Sequence, residues 1–179
     1  MSKLQSHLGG HGFKTNTDKP VFDHIVDKFN IKSVVDIGCG VGGMQELADE
    51  KNVKWYGIDG DDAVIETTEN TLLHDFTLGS PNISIDFDLA WSVEFLEHVY
   101  EEYMPNYMQV FERAKYVCCT AARPGKKGHH HVNCQDTEYW IDAFKQYGFT
   151  FDQEYTNHLY SISKMRKKFF RRSGMFYYK

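Results

Sequence analysis

Apolar positions along the chain follow two rhythms: short continuous runs, and residues spaced three and four apart. Phe22, Ile25, Val26 and Phe29 have the helical spacing, behind a Pro20 that suits a first turn. Ser33 to Ile37 (SVVDI) is a β-branched run that stops at glycines, and Met44, Leu47 and Ala48 form the inner face of a helix starting near Gly42. Lys54 to Ile58 (KWYGI), closed by Asp59-Gly60, reads as a second strand and Thr71 to His74 as a weak third. Phe87 to Ser92 (FDLAWS) reads as a fourth and Tyr116 to Ala121 as a fifth. Between these two, Phe95 to Ala114 is helical in pattern, and Pro105 is expected to break it into two pieces. Asp136 caps a helix carrying Trp140, Phe144 and Tyr147 that ends at Gly148. Phe149 to Phe151 begin a sixth strand, Ser163 to Arg172 is helix-like and basic, and Met175 to Tyr178 is a last strand.

Strands alternating with helices predict an α/β fold with a mostly parallel sheet covered on both faces. The 179 residues suffice for a single domain, 1–179, with no internal repeat or linker. Residues 1–19 lack periodicity and read as a flexible arm or lid, or as a disordered leader.

A formal net charge of −5 argues against a protein that coats nucleic acid by charge alone. No apolar run is long enough to span a bilayer, and residues 1–12 hold no apolar signal core. Cys39, Cys118, Cys119 and Cys134 form no C-x-x-C pair, so reduced, buried thiols in a cytoplasmic protein are expected. The neighbours Cys118 and Cys119 should face opposite sides of a strand.

The most informative stretch is Val34-Val35-Asp36-Ile37-Gly38-Cys39-Gly40-Val41-Gly42-Gly43, where a buried strand turns into a helix. Glycines there let the backbone approach a ligand, and a helix N-terminus offers free N–H groups. Asp59 closes the next strand, where a carboxylate can accept both hydroxyls of a ribose. Gly38, Gly40 and Gly43 also fit the dinucleotide pattern G-x-G-x-x-G, which keeps a nicotinamide-dependent oxidoreductase open. Asp36, two residues before the first glycine, is unusual for that class, whose first strand is apolar. Asp75-Phe76 after the third strand suits an adenine amino group and ring face.

Together these residues resemble the class I methyltransferase family: Asp36, Gly38, Gly40 and Gly42 match its D-x-G-x-G-x-G signature, Asp59 its ribose-binding acid and Asp75 its adenine-side acid. The resemblance covers roughly Ser33 to Thr120. It implies a three-layer Rossmann-like fold with a seven-stranded sheet whose last strand is antiparallel, and S-adenosylmethionine as cofactor. The implied cofactor contacts are Asp36, Gly38, Cys39, Gly40, Gly42, Asp59, Gly60, Asp61, Asp75, Phe76, Ser92 and Val93.

Glu94, Glu97 and His98 share one face if a helix begins near Glu94, and a later loop holds His129, His130 and His131. Two carboxylates and imidazoles make a site for a divalent ion such as Mg²⁺ or Mn²⁺. Glu94-x-x-Glu97-His98 is similar to the stretch in catechol O-methyltransferases of ubiquinone synthesis and in small-RNA 2′-O-methyltransferases. That similarity implies Glu94, Glu97, His98 and one of His130 or His131 as ligands; the expected set is Glu94, Glu97, His98 and His131, with Glu97, His98 and His131 catalytic. Without a metal, His98, His130 or His131 is the candidate base, or Glu97 and His98 only orient the chain. The basic run Lys164 to Arg172 is a candidate nucleic-acid contact or a solvated helix face with Phe169 and Phe170 packed inward. The expected function is O-methylation of a small hydroxylated acceptor or sugar. A nucleic-acid ribose methyltransferase and a non-catalytic S-adenosylmethionine-binding protein are the alternatives, beside the oxidoreductase.

Overall fold

The computed structural model describes residues 6–64 and 70–179. Helix α1 (Lys19–Phe29) opens with Pro20 in its first turn and stops at Asn30, whose φ of 52° ends the helix. Strand β1 (Ser33–Ile37) leads through the glycine loop into α2 (Gly43–Glu50), then β2 (Lys54–Asp59) and the short β3 (Thr71–Leu73). Strand β4 (Phe87–Ser92), helix α3 (Met104–Phe111) and β5 (Ala114–Thr120) follow. Then come α4 (Thr137–Gln146), β6 (Thr150–Phe151), α5 (Gln153–Ile162), α6 (Phe169–Ser173) and β7 (Gly174–Tyr178). Asp136 and Asp152 cap α4 and α5 by accepting from the N–H groups of Tyr139 (2.9 Å) and Tyr155 (2.8 Å).

The seven strands form one sheet in the order β3-β2-β1-β4-β5-β7-β6. β1 pairs in parallel with β2 along its whole length and with β4 on its other side, and only β7 runs antiparallel. The order in which successive strands are added therefore reverses beside β1, and Ile37, Asp59, Ser92 and Thr120 end their strands along one edge. Antiparallel β7 between β5 and β6 sets this sheet apart from the dinucleotide-binding order, which counts 3-2-1-4-5-6.

Each face carries its own core. Tyr107, Phe111, Trp140 and Phe144 pack under α3 and α4 with Val117, Cys119 and Tyr177 of the sheet. Phe22, Ile25, Leu159 and Phe170 pack with Trp91, Cys118 and Phe176 on the other side. Cys118 and Cys119 thus face opposite layers, and all four cysteines are free thiols. Among the described residues no helix is long and apolar enough to cross a membrane.

Three expectations need correction. The segment after β4 is not helical from Phe95: 3₁₀ turns at Leu96–His98 and Glu101–Tyr103 precede α3, and Pro105 starts that helix rather than breaking one. The segment Ser163 to Arg172 is no continuous helix, because Lys167 (φ 65°) and Lys168 (φ 58°) are left-handed between a 3₁₀ turn and α6. Helix α5 went unpredicted.

The buried Asp18 carboxylate ties the start of α1 to the chain after α5. It accepts from the Ser163 hydroxyl (2.6 Å) and the Lys164 N–H (3.0 Å). Asp18→Ala leaves the buried Ser163 hydroxyl without its acceptor and is expected to cost about 2–3 kcal/mol in urea unfolding. An unchanged midpoint would show that this tie carries no stability.

Candidate functional site

A cleft of about 1060 Å³ opens along the carboxyl edge of the sheet. Its floor at β1 is the glycine loop. Gly38 has φ 74°, and a Cβ there would sit 2.6 Å from the Phe95 ring, so no larger residue fits. Asp59, at the end of β2, fixes the loop: its Oδ2 accepts from the Gly40 N–H (2.8 Å) and its Oδ1 from the Asp61 N–H (2.9 Å). A carboxylate has about four acceptor positions, so about one remains open on each Asp59 oxygen. Asp75 is busier. Its Oδ1 accepts from the N–H (2.9 Å) and hydroxyl (2.8 Å) of Thr77, and its Oδ2 is paired with His7 Nε2 (2.8 Å). Partial burial pushes the Asp75 carboxyl up, but those hydrogen bonds outweigh it and hold the group below the usual range.

Asp36 lies under this floor, fully buried, with only a long hydrogen bond from Trp55 Nε1 (3.4 Å). Burial raises its carboxyl to about 7, with a further push from nearby Asp59.

The second centre lies beyond β4. Glu94 takes φ 56°, which turns the chain out of any α-helical path. Its N–H donates to Thr120 Oγ1 (2.8 Å), whose hydroxyl donates back to Glu94 Oε1 (2.9 Å). The 3₁₀ turn that follows drives Glu97 into the interior, fully buried, with no hydrogen-bond partner on either carboxylate oxygen. Burial, then repulsion from Glu94, push Glu97 up to about 8; the N–H groups of Glu97 and Ala122 pull the other way without reaching hydrogen-bonding geometry. Burial, then His131, push neighbouring His98 down to about 4, so its imidazole is neutral at physiological pH. The Glu97 carbonyl accepts from the N–H groups of both Val132 (2.9 Å) and Asn133 (3.0 Å), pinning the histidine loop here. His131 is thereby delivered edge-on to His98, with ring centroids 4.9 Å apart. His131 Nδ1 faces the Lys126 carbonyl at 3.0 Å, which assigns the proton to Nδ1 and leaves the Nε2 lone pair free. A side chain at Gly128 would run into the His131 ring. Potential ligand atoms of Glu97, His98 and His131 all lie within 4.8 Å of one another.

The arm closes the cleft. His7 pairs with Asp75, His11 Nε2 with Asp61 Oδ2 (3.0 Å), and Thr15 Oγ1 accepts from the Gly43 N–H (2.9 Å). Leu8 covers Gly60, and the His129 ring packs on Gly10. Residues 6–18 therefore lie across the glycine loop; residues 1–5 of the arm fall outside the described residues.

Of the residues singled out in the sequence, Asp36, Gly38, Cys39, Gly40, Asp59, Gly60, Asp75, Phe76 and Val93 line the cleft. Gly42 instead caps α2, and the buried Ser92 hydroxyl donates to the Ile37 carbonyl (2.9 Å). Asp61, also behind the wall, holds His11 and the Ala63 N–H. Glu94 stands outside the Glu97–His98–His131 group, and the three do not share a helix face, because the chain turns left-handed at Glu94. His130 turns away to Tyr100 and His7, and His129 to the arm. Lys126, Lys127, Tyr100 and Phe169, which also line the cleft, were missed. Lys126 and Lys127 lie beside the histidine run, the one signal that could have marked them.

No protein-family model and no curated protein matches the chain. Solved structures do. The methyltransferase domain of bacterial CtHen1 is 16% identical with a TM-score of 0.60, over 90% of this chain and 96% of that one. An S-adenosylmethionine-dependent methyltransferase from Archaeoglobus fulgidus is 17% identical with a TM-score of 0.59, over 90% and 92%. The plantazolicin methyltransferase BpumL, solved with S-adenosylhomocysteine, is 12% identical with a TM-score of 0.57, over 90% and 82%. The architecture is the Rossmann-like fold of class I methyltransferases.

The raised Asp36 carboxyl has a consequence for stability. The folded protein keeps that proton up to about pH 7, whereas the unfolded chain releases it near 3.8. The folded state therefore binds more protons in between, and stability falls as pH rises from about 4 to about 7. Asp36→Asn should remove that slope, a difference of up to about 4 kcal/mol between the two proteins at neutral pH. Parallel urea titrations of both proteins across that range check it; identical slopes would contradict it.

Proposed function

We propose that the protein transfers a methyl group from S-adenosylmethionine to a hydroxyl oxygen of a small acceptor, with a divalent ion held by Glu97, His98 and His131. The observation that carries this reading is the presence, at one sheet edge, of a glycine-and-carboxylate cradle next to a group of buried Glu97 and half-buried His98 and His131.

The cradle fits the cofactor. Asp59 offers an open acceptor position on each oxygen, the number needed for the two hydroxyls of a ribose. At the α2 N-terminus the Gly43 N–H is held by Thr15 and the Gln45 N–H by the Gly42 carbonyl, so a ligand carboxylate gains the Gly43 N–H only by displacing Thr15 of the arm. Phe76, packed against Phe95 and Tyr107, lines the cleft beside Asp75 where adenine is expected. Structures of this fold with bound S-adenosylmethionine or S-adenosylhomocysteine support the choice. When bound, S-adenosylmethionine supplies an electrophilic methyl group on a sulfonium, whose transfer depends mainly on in-line positioning.

The second centre fits a cation. Glu97 is a buried carboxylate with both oxygens orphaned, a costly arrangement that a positive charge relieves. His98 is neutral and His131 has a free Nε2, the forms in which imidazole coordinates. The mixed oxygen and nitrogen set favours Mn²⁺ over the oxygen-seeking Mg²⁺. Such an ion, when bound, lowers the pKa of an acceptor hydroxyl and fixes its oxygen.

The chain's own residues do the rest. Asp59 and the glycine loop orient the donor, and the arm excludes water from above it. The His131 Nδ1–H stays committed to the Lys126 carbonyl, which reserves the Nε2 lone pair for the ion and leaves that ring no second lone pair for the acceptor's proton.

Two outcomes test this reading. Asp59→Ala is expected to weaken S-adenosylhomocysteine binding at least about tenfold in calorimetry, since both ribose contacts are lost; unchanged affinity would remove the cradle from the proposal. Wild-type protein should take up Mn²⁺ stoichiometrically, read from the loss of free-ion paramagnetic resonance signal, and Glu97→Gln should not. Equal uptake by both, or by neither, would refute the cation site while leaving the cofactor site to the calorimetry.

A further inference from the structure

Charges of both signs line the cleft. Asp59 and Asp75 line the cofactor end together with Lys14 of the arm, while Lys126, Lys127, Arg166, Lys167 and Arg172 line the cleft as well, Lys126 and Lys167 close to Glu94. Lys126 and Lys127 come from the turn after β5; Arg166, Lys167 and Arg172 come from the 3₁₀ turn and α6 near the chain's end. Segments some forty residues apart thus line one cavity. Lys126 and Lys167 both lie near enough to the Glu94 carboxylate to favour its ionised form, although burial dominates and raises that group.

Among the described residues, none of the five cations forms an ion pair; the ion-paired lysines and arginine are Lys19, Lys51, Arg113 and Lys115. Lys14 lines the same cavity, also without an ion pair among the described residues, so six of the chain's 20 basic residues face one cavity in a protein with 25 acidic ones. The backbone also aims them. Lys167 and Lys168 hold left-handed φ values that non-glycine residues avoid, which breaks the basic segment. Arg166, Lys167 and Arg172 then face the cleft, while Arg171 turns back to donate to the Ser163 carbonyl through Nε (3.1 Å). A continuous basic helix would have spread these charges along a solvated face.

We propose that the methyl acceptor carries phosphate, as a monoester or diester, and that Lys126, Lys127, Arg166, Lys167 and Arg172 hold it while the hydroxyl lies at Glu97, His98 and His131. This rests on the methyltransferase reading and names its substrate class. Guanidinium groups bind phosphate oxygens in pairs and ammonium groups act as point charges, so the set accepts either ester.

The test uses the whole protein saturated with S-adenosylhomocysteine, whose own affinity is measured first. Binding of ribose, ribose 5-phosphate and a fluorescent hexauridylate is then compared at low and raised salt. Ribose 5-phosphate or hexauridylate should bind at least about tenfold more tightly than ribose, and the preference should shrink with salt. Preference shared by both points to a phosphorylated small molecule; preference confined to hexauridylate, with the steeper salt dependence, points to a nucleic-acid strand. Arg166→Ala/Arg172→Ala should abolish the preference with S-adenosylhomocysteine affinity held within twofold. Where that pair also loses the cofactor, Lys126→Ala/Lys127→Ala, on an exposed turn, decides in the same way. Intact S-adenosylhomocysteine binding with no phosphate preference, or a preference that survives both variant pairs, overturns this inference alone. Absence of S-adenosylhomocysteine binding overturns the methyltransferase reading and this inference with it.

Discussion

Glu97 brings a carboxylate into the interior and gives it no donor, and much of the site is arranged around that fact. An ionised carboxylate in such a place costs several kcal/mol unless charge or hydrogen bonds compensate. The protein supplies neither directly. Burial instead keeps the group protonated up to about 8, and His98 beside it stays neutral. Removing Glu97 from water is thus tolerated by giving up its charge, which the proposed cation would restore. The turn that buries Glu97 is held by its own carbonyl, which accepts two N–H groups from the histidine loop. One residue therefore both creates the electrostatic demand and, through its backbone, recruits the imidazole that helps meet it.

The sheet explains why the two centres are neighbours. β1 and β4 are adjacent, and their carboxyl ends open beside the point where strand order reverses. The glycine loop follows β1 and the Glu97 turn follows β4, so the proposed donor and acceptor sites adjoin at one sheet edge. Gly38 makes the junction tight, since its missing side chain is the room that the Phe95 ring occupies.

How much of this could be read from sequence depended on the range of the interactions. The glycine loop, Asp59 and Asp75 were legible because the chemistry is local: a turn that needs glycine and a carboxylate at a strand end. Most strands were legible for the same reason. Helix α5 was not, because its buried residues are Tyr155, Thr156 and Leu159, and two of them carry hydroxyls that blur the apolar stripe. The stretch after Phe95 kept helical spacing, yet Leu96, Val99 and Tyr103 fit 3₁₀ turns about as well as an α-helix. Glu94, Lys167 and Lys168 turn left-handed at non-glycine positions, which leave no mark in composition. So Glu94 was read into the metal group from spacing, while the backbone contact that brings His131 there has no local signature.

The arm completes the picture through the acceptor positions it consumes. Asp75 has two taken on Oδ1 by Thr77 and one on Oδ2 by His7, which leaves about one for any ligand. Asp59 makes no hydrogen bond to the arm and keeps about two. The open positions on Asp59 are therefore not contested by hydrogen bonds from the arm, whereas a group approaching Asp75 has the one remaining position or displaces His7; Leu8 and His11 nevertheless pack on Gly60 and Gly40 beside Asp59. Closure of the arm and binding at the adenine end draw on the same carboxylate. Asp59 is free of that hydrogen-bond competition, so the arm engages the two carboxylates unequally: it pairs with Asp75 through His7 and only packs beside Asp59 through Leu8 and His11.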